Sequence, residues 1–222
     1  MTDLEYSIKH NKGRISIIIP TLNDATTLPL ILQEINELEG VKEVIVVDGG
    51  SVDGTIEIAE RYGVRVIVKK HASYGEAVKH GLKTATGDFI VLLDGNATYN
   101  PKEIPNLINK LESDEKTVAV LGVRPERPFI IKFLCWLICK FFKIKLRDIS
   151  SFIAIRKSVL EKFDLRFSTK YFVVEMLVKL ATKYRIAEVD ISLTKTSTKR
   201  VPNIQSFINA ILFVIRLKRG TI

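Results

Sequence analysis

Cysteine and histidine are scarce in this chain. Its 222 residues include two cysteines and three histidines. Cys135 and Cys139 stand one helical turn apart in an apolar segment, so they build no disulfide framework, and no Cys/His set completes a zinc site. We expect both cysteines to be small apolar residues on one face of a helix. None of the histidines stands in an obvious catalytic pairing.

Long apolar runs are also missing. Segments 129–144 and 207–217 are rich in apolar residues, but they are too short or too often interrupted by lysine to span a bilayer, which needs ~20 apolar residues. The first fourteen residues are polar and lack the apolar core of a signal peptide. We therefore expect a cytoplasmic protein that meets membranes only peripherally.

Acidic residues are outnumbered by basic ones, 25 to 34, which gives a net charge of +9. Such a surplus favours an anionic partner: a nucleic acid, a phosphorylated ligand or an acidic membrane. The basic residues stand beside apolar ones, and no recognised RNA- or DNA-binding module is present, so we expect no nucleic-acid partner. The composition, 46% hydrophobic and 27% charged, is that of a globular protein.

Strand-like and helical segments alternate through the first half of the chain. This βαβα order predicts an α/β fold with a mostly parallel sheet flanked by helices. The predicted strands are 15–20, 44–48, 64–68, 89–94 and 118–123, and the predicted helices are 26–38, 55–62, 74–84 and 101–112.

The pattern changes after Arg124, where Pro125 and Pro128 break the chain. We expect three parts: residues 1–124, residues 125–200 and an apolar basic helix within 201–222. In the second part, 149–155 resembles a strand returning to the sheet. The further predictions are helices at 129–144, 171–182 and 207–217, a strand at 186–191 and a basic linker at 194–200.

Polar residues follow three of the predicted strands. Asp24, Asp48 and Asp94 stand at or just beyond strand ends, and the carboxyl edge of an open parallel sheet is where ligands bind. Asp94 comes directly after the apolar run 89–93, and Asn96 offers a second oxygen, so the pair suits a divalent metal that faces a phosphorylated ligand. We assign Asp53 a structural role near the start of the next helix. The glycines of this region match neither a P-loop nor the dinucleotide fingerprint.

Three ordered motifs carry a resemblance to a known family. Residues 17–24, 46–55 and 92–96 resemble the family 2 glycosyltransferases of the GT-A (Rossmann-like) fold. Gly122-Val123-Arg124 and the segment 148–152 are similar to elements of dolichyl-phosphate mannose synthases and related polyprenyl-phosphate glycosyltransferases. The resemblance covers residues 15 to about 124 well and is less specific beyond.

The resemblance implies an inverting transfer of a sugar from a GDP- or UDP-linked sugar to a polyprenyl (dolichyl) phosphate, with Mg²⁺ or Mn²⁺ on the diphosphate. It assigns catalytic roles to Asp94 and Arg124. The implied nucleotide-sugar site is Pro20, Leu22, Asp24, Val47, Asp48, Asp94, Gly95 and Arg124. The implied metal ligands are Asp94, Asn96 and Thr98, and the implied acceptor side is Asp148, Ser150, Glu175, Lys195 and Lys199.

Several positions depart from the family pattern. Asn96 stands where a second Asp is frequent and supplies an oxygen without a charge, so we expect weaker metal binding. Gly49 replaces another frequent Asp, and Tyr74 stands where a Lys is common. Two alternatives therefore stay open. One is transfer to a saccharide or another lipid, with Asp148 or Glu175 as general base. The other is a catalytically weak, membrane-associated nucleotide-sugar binder.

Segment 129–144 combines lysines with five aromatic residues. Core burial explains such a segment, and so does a helix that lies in a membrane interface with its basic side towards anionic headgroups. We favour the interfacial helix, because it would bring the site to a lipid-phosphate acceptor.

Overall fold

A single seven-stranded sheet forms the centre of the protein. The structure is a computed structural model that describes residues 13–162, 171–194 and 204–220. The strands are β1 Ile15–Thr21, β2 Val41–Asp48, β3 Arg65–Val68, β4 Phe89–Leu92, β5 Thr117–Val123, β6 Ile153–Arg156 and β7 Arg185–Asp190. The helices are α1 Leu28–Asn36, α2 Thr55–Arg61, α3 Tyr74–Thr84, α4 Ile104–Glu112, α5 Phe129–Phe142, α6 Lys157–Leu160, α7 Phe172–Lys183 and α8 Ile204–Arg219, with a 3₁₀ turn at Pro101–Glu103.

The strand order is β3-β2-β1-β4-β6-β5-β7. All neighbouring pairs are parallel except the two that involve β6, which runs antiparallel to β4 and to β5. This order confirms the predicted α/β fold with a mostly parallel sheet. The strands β6 and β7, from the second half of the chain, join the same sheet as the strands of the first half.

The returning strand is shorter than predicted. It begins at Ile153 instead of residue 149. The preceding residues are held by other partners: Asp148 binds Arg124, and the Ser150 hydroxyl accepts a bond from the Phe152 amide, 3.0 Å away. Residues 148–152 therefore form a loop that approaches the sheet edge and do not extend the ladder.

Two hydrophobic cores lie on opposite faces of the sheet. Because successive strand residues point to opposite faces, Ile17 and Ile19 of β1 join one core and Ile18 joins the other. Helices α1, α2 and α4 cover the first face, and α3, α5, α7 and α8 contribute to the second.

Helix α3 lies unusually close to β1. A Cβ atom on Gly81 would stand 2.4 Å from Ile18 Cγ2, so only glycine permits this approach. The helix begins at a capping box in which the Ser73 amide donates to Glu76 Oε2 at 2.8 Å. Close packing and a fixed first turn together set the position of Tyr74, the first residue of the helix.

Helix α5 buries one face and exposes the other. Leu134, Cys135 and Ile138 are buried, and both cysteines are free thiols, as expected. The exposed residues recur every three or four positions and form what we call the α5 stripe: Phe129, Lys132, Trp136, Lys140 and Lys143. In the described ranges of the chain, the helices are all too short or too polar to cross a membrane.

Candidate active site

The candidate site lies where β2, β1 and β4 end side by side. These strands are parallel neighbours, so their carboxyl ends share one edge of the sheet. Thr21 pairs with Asp48 in the ladder, and its hydroxyl donates to Asp48 Oδ2 at 2.9 Å. A Cβ on Gly95 would stand 2.8 Å from Asp24 Oδ2. The structure thus brings the three predicted strand-end loops together.

Hydrogen bonds connect the loop after β1 to the loop after β2. The Asn23 amide donates to Ser51 Oγ at 2.8 Å, and the Val52 amide donates to Asn23 Oδ1 at 3.0 Å. The Ala25 amide donates to Asp53 Oδ2 at 3.0 Å. These hydrogen bonds tie the two loops to each other.

Asp53 has the structural role expected of it, although Gly54 is the residue that caps α2. Its Oδ1 accepts bonds from the Thr55 hydroxyl and amide. The hydrogen bond from the Thr55 hydroxyl is the main reason why the pKa of Asp53 lies below its ordinary value.

Asp48 is fully buried, and both of its oxygens are occupied. Oδ1 accepts from the amides of Gly50 and Ser51, and Oδ2 accepts from the hydroxyls of Thr21 and Ser51. The carboxylate therefore shapes the turn that follows β2. The contact of Asp48 with a nucleotide stays a prediction. It would require the turn to open, or the carboxylate to bind the nucleotide in addition to its four present donors.

The other predicted nucleotide residues differ in exposure. Leu22 is 59% exposed, while Asp24 is partly exposed and accepts a bond from the Leu22 amide. Pro20 is buried, and Val47 is fully buried in a core. Leu22 and Asp24 can thus offer side chains to a ligand at this edge, whereas Val47 could do so only through its backbone.

Asp94 forms the centre of the site. Tyr74 donates its hydroxyl to Oδ1 at 2.9 Å, and Ser151 donates its hydroxyl to Oδ2 at 2.6 Å. Desolvation is the main influence on the pKa of Asp94 and raises it above the ordinary value. The two hydroxyl bonds and the charge of Arg124 act in the opposite direction. Burial also raises the pKa of Tyr74 well above its ordinary value, so Tyr74 remains a neutral donor.

Asn96 and Thr98 form a tight turn beyond Asp94. Asn96 Oδ1 accepts bonds from the Thr98 amide at 3.1 Å and from the Thr98 hydroxyl at 2.7 Å. Ala97, between them, has a positive φ of 51°. The turn groups the amide and hydroxyl oxygens that were predicted to bind a metal.

Arg124 and Asp148 form a buried ion pair. Arg124 Nε donates to Asp148 Oδ2 at 2.9 Å, and Nη2 donates to Oδ1 at 2.7 Å. The Arg124 side chain is 18% exposed, and that of Asp148 is fully buried. Burial has the largest single effect on the pKa of Arg124 and lowers it, but the hydrogen bond to Asp148 and the charges of neighbouring acidic groups together raise the pKa above its ordinary value. Within the described residues, Nη1 makes no hydrogen bond of its own.

The predicted acceptor-side residues have varied surroundings. Ser150 is buried, and its hydroxyl bonds with the backbone of Phe152. Glu175 is fully buried on α7 and receives a bond from Lys179 one turn later. Lys195 and Lys199 lie outside the described residues. Their assignment to an acceptor site stays a prediction.

Comparison with known proteins identifies the family. The model of "Glycosyl transferase family 2" matches residues 16–132, which is more than half of the chain. The chain belongs to glycosyl transferase family 2.

Curated relatives agree with this membership. The chain is 32% identical over 185 residues to a dolichol-phosphate mannosyltransferase of Pyrococcus furiosus, covering 75% of this chain and 53% of that protein. The chain thus spans about half the length of that relative. It is 24% identical over 188 residues to an uncharacterized glycosyltransferase of Mycobacterium tuberculosis, covering 80% of this chain and 84% of the relative.

Solved structures share the fold of this family 2 chain. The glucosyl-3-phosphoglycerate synthase of M. tuberculosis superposes with a TM-score of 0.75 at 20% identity, over 99% of this chain and 85% of that one. The same enzyme in complex with Mn²⁺, UDP and glucosyl-3-phosphoglycerate gives a TM-score of 0.74 at 22% identity, with the same coverage. The predicted GT-A-like fold is confirmed.

The oxygen atoms of the Asp94 corner suit a divalent metal. The described residues contain no group of three or more His, Cys, Asp or Glu side chains that could hold one. Asp94, a partly exposed residue, nevertheless supplies a carboxylate, and the turn of Asn96 and Thr98 supplies neutral oxygens. Mg²⁺ is commonly held by one or two carboxylates together with substrate phosphates. The residues therefore fit a metal that takes some of its ligands from the protein and the others from a diphosphate.

Ser151, Tyr74 and Tyr99 are candidate site residues that sequence reasoning missed. The Tyr99 hydroxyl lies 3.4 Å from Ser151 Oγ, and its ring stacks on Phe152 at a centroid distance of 5.3 Å. For Tyr74, the departure from the family's usual Lys was a usable signal. No signal in the sequence distinguishes Ser151 from its neighbour Ser150.

Proposed function

We propose that this chain transfers a sugar, with inversion, from a GDP- or UDP-linked sugar to a polyprenyl phosphate. The observation that carries the proposal is the corner at the carboxyl edge of the sheet, where Ser151 binds the Asp94 carboxylate and Asp148, three residues earlier in the same loop, binds the Arg124 guanidinium. Membership of glycosyl transferase family 2 supports the reaction class. The name of the P. furiosus relative supports the acceptor class.

The reaction would break the bond between the anomeric carbon and the diphosphate oxygen and form one from that carbon to an acceptor oxygen. Negative charge then develops on the departing nucleoside diphosphate. Arg124 is suited to stabilise this charge, because Asp148 fixes its plane while Nη1 makes no hydrogen bond of its own to the described residues. A Mg²⁺ or Mn²⁺ ion bound by Asp94, Asn96 and Thr98 would supply further positive charge.

The hydrogen bonds of two buried carboxylates, Asp148 and Glu175, favour a phosphate acceptor over a hydroxyl acceptor. A hydroxyl needs a general base, whereas a phosphate is already ionised near neutral pH. Both candidates for that base are engaged: Asp148 accepts four hydrogen bonds, and Glu175 is buried beside Lys179. These bonds count against either residue as the general base for a saccharide acceptor.

The α5 stripe supports a membrane-bound acceptor. Phe129 is 80% exposed and Trp136 is 53% exposed, and Lys140 Nζ lies 5.0 Å from the centre of the Trp136 ring. Residues 127–147 contain six basic residues and no acidic one. Helix α8 packs against α5 and exposes Ile208 and Leu212. Exposed apolar side chains beside lysines are typical of a helix that lies in the interface of an anionic membrane.

A transfer assay tests the reaction. The protein is incubated with Mn²⁺ or Mg²⁺, polyprenyl phosphate and a panel of labelled UDP- and GDP-sugars, and the lipid phase is examined for label. We expect one of the sugars to give a labelled lipid. The Asp94→Ala variant should fold but give no labelled lipid. A labelled saccharide or small phosphorylated acid in parallel incubations, without labelled lipid, would refute the lipid acceptor.

A vesicle assay tests the membrane surface. Trp136 is the only tryptophan of the chain, so its fluorescence should shift to the blue when anionic vesicles are added. The variant with Lys132→Gln, Lys140→Gln and Lys143→Gln should float less with such vesicles. The matched control replaces the exposed residues Lys83, Lys110 and Lys116 by Gln and should float like the wild type. Equal flotation of both variants would contradict the electrostatic part of the proposal.

A further inference from the structure

The Asp94 carboxylate is held from two distant parts of the chain. Tyr74 approaches Oδ1 from the first turn of α3, and Ser151 approaches Oδ2 from the loop before β6. The two hydroxyls together fix both the rotation and the tilt of the carboxylate. An acid group that must meet a metal in one orientation gains from such support, because the ligand is then ordered before the ion binds.

Each of the two donors is itself held in place. Tyr74 is the first residue of a helix whose start is closed by the capping box of Ser73 and Glu76. Ser151 lies beside the Tyr99 hydroxyl and directly before Phe152, on whose ring Tyr99 stacks. Both hydroxyls therefore belong to residues whose neighbours are themselves fixed by hydrogen bonds or ring stacking.

The loop that carries Ser151 also carries Asp148, the partner of Arg124. Residues 148–151 thus hold the anionic and the cationic side chains of the corner at the same time: Ser151 binds Asp94, and Asp148 binds Arg124 through two guanidinium bonds. Both charged groups take their positions from one short stretch of backbone.

We propose that Tyr74 and Ser151 are positioning residues that orient Asp94 for a divalent metal, and that the loop 148–151 sets the spacing between this metal ligand and Arg124. The inference rests on the proposed function, since it concerns the same metal–diphosphate corner. In this role, Tyr74 and Ser151 act through Asp94. Losing a hydrogen-bond partner of a metal ligand typically weakens metal affinity by ~10–100-fold.

The test measures nucleotide affinity with and without metal, and it needs no turnover. Binding of UDP and of GDP is followed by calorimetry in Mn²⁺ and in EDTA, and the ratio of the two dissociation constants gives the gain due to Mn²⁺. In Tyr74→Phe and in Ser151→Ala, we expect this gain to fall by about 10-fold, with the affinity in EDTA unchanged. Ser151→Thr, which keeps a hydroxyl, should recover most of the gain.

Two controls and two outcomes complete the experiment. Tyr184→Phe and Ser113→Ala, at the ends of α7 and α4, should behave like the wild type, and thermal unfolding confirms that each variant is folded. If the wild type gains affinity from Mn²⁺ while Tyr74→Phe and Ser151→Ala both retain that gain within twofold, the positioning role is wrong and the proposed function stands. If the wild type binds neither nucleotide in Mn²⁺, the proposed function fails and the positioning role fails with it.

Discussion

Replacement of Asp148 by Asn tests the energetic importance of the buried ion pair. The Asp148 carboxylate accepts four hydrogen bonds: from Nε, Nη2 and the amide of Arg124, and from the amide of Ile149. An asparagine side chain keeps one acceptor oxygen and turns the other position into a donor. Whichever way the amide is oriented, two of the four donors then face an NH₂ group.

The expected loss follows from those two donors. Each buried donor without a partner costs about 1–3 kcal/mol, and breaking a buried ion pair typically costs about 3–5 kcal/mol. Because Arg124 keeps 18% of its side-chain surface exposed, water can reach part of the guanidinium, so we take the lower part of this range, about 3 kcal/mol. For a chain of this length, the corresponding drop in Tm is roughly 6–12 °C.

Urea unfolding followed by far-UV circular dichroism measures this loss. The matched control is Asp190→Asn, which removes a surface carboxylate that pairs with Arg147; exposed pairs contribute about 0–1 kcal/mol. The reasoning would be refuted if Asp148→Asn lowered the free energy of unfolding by no more than about 1 kcal/mol, the largest loss expected for the exposed control. Such a result would mean that Arg124 finds another partner or that water replaces the lost acceptor.

Three further predictions concern the frame around the site. Gly95→Ala would place a Cβ 2.8 Å from Asp24 Oδ2, so we expect a loss of about 1–3 kcal/mol in urea unfolding; an unchanged midpoint would contradict the close approach. Gly81→Ala would bring a Cβ to 2.4 Å from Ile18 Cγ2, and its thermal midpoint should fall for the same reason, whereas an equal midpoint would show that α3 can shift freely. The lowered pKa of Asp53, due first to the Thr55 hydroxyl, means that its contribution to stability is present above the ordinary carboxyl pKa of about 4 and is lost as the pH falls through the lowered value. Asp53→Asn should therefore flatten the acid side of a stability–pH curve, and an unaltered acid slope would count against this contribution.

The order of the elements could be read from the sequence because periodicity is a local property. The predicted helix 74–84 matches α3 at both ends, and the first predicted strands lie within a few residues of β1 and β2. Parallel neighbours end at the same edge, so the meeting of the loops of Asp24, Asp48 and Asp94 also followed from the order.

The direction of β6 did not follow in the same way. The apolar pattern of 149–155 indicates a strand but contains no information on its partners. The structure inserts this strand antiparallel between β4 and β5, and only from Ile153 onward. This placement brings the loop 148–151 to the carboxyl edge of the sheet. There its side chains bind Arg124 and Asp94, and the loop does not extend the hydrogen-bonded ladder of β6.

The sequence by itself determined the α/β fold, the edge of the sheet that holds the site and the residue types gathered there, because strand periodicity and chain order are local. Only the tertiary structure decided which hydroxyls hold Asp94, and that Asp148 pairs with Arg124. Ser150 and Ser151 are neighbours in a loop, where no strand periodicity decides which hydroxyl faces Asp94. The choice of Ser151 over Ser150 therefore depends on contacts with residues more than fifty positions away in the chain.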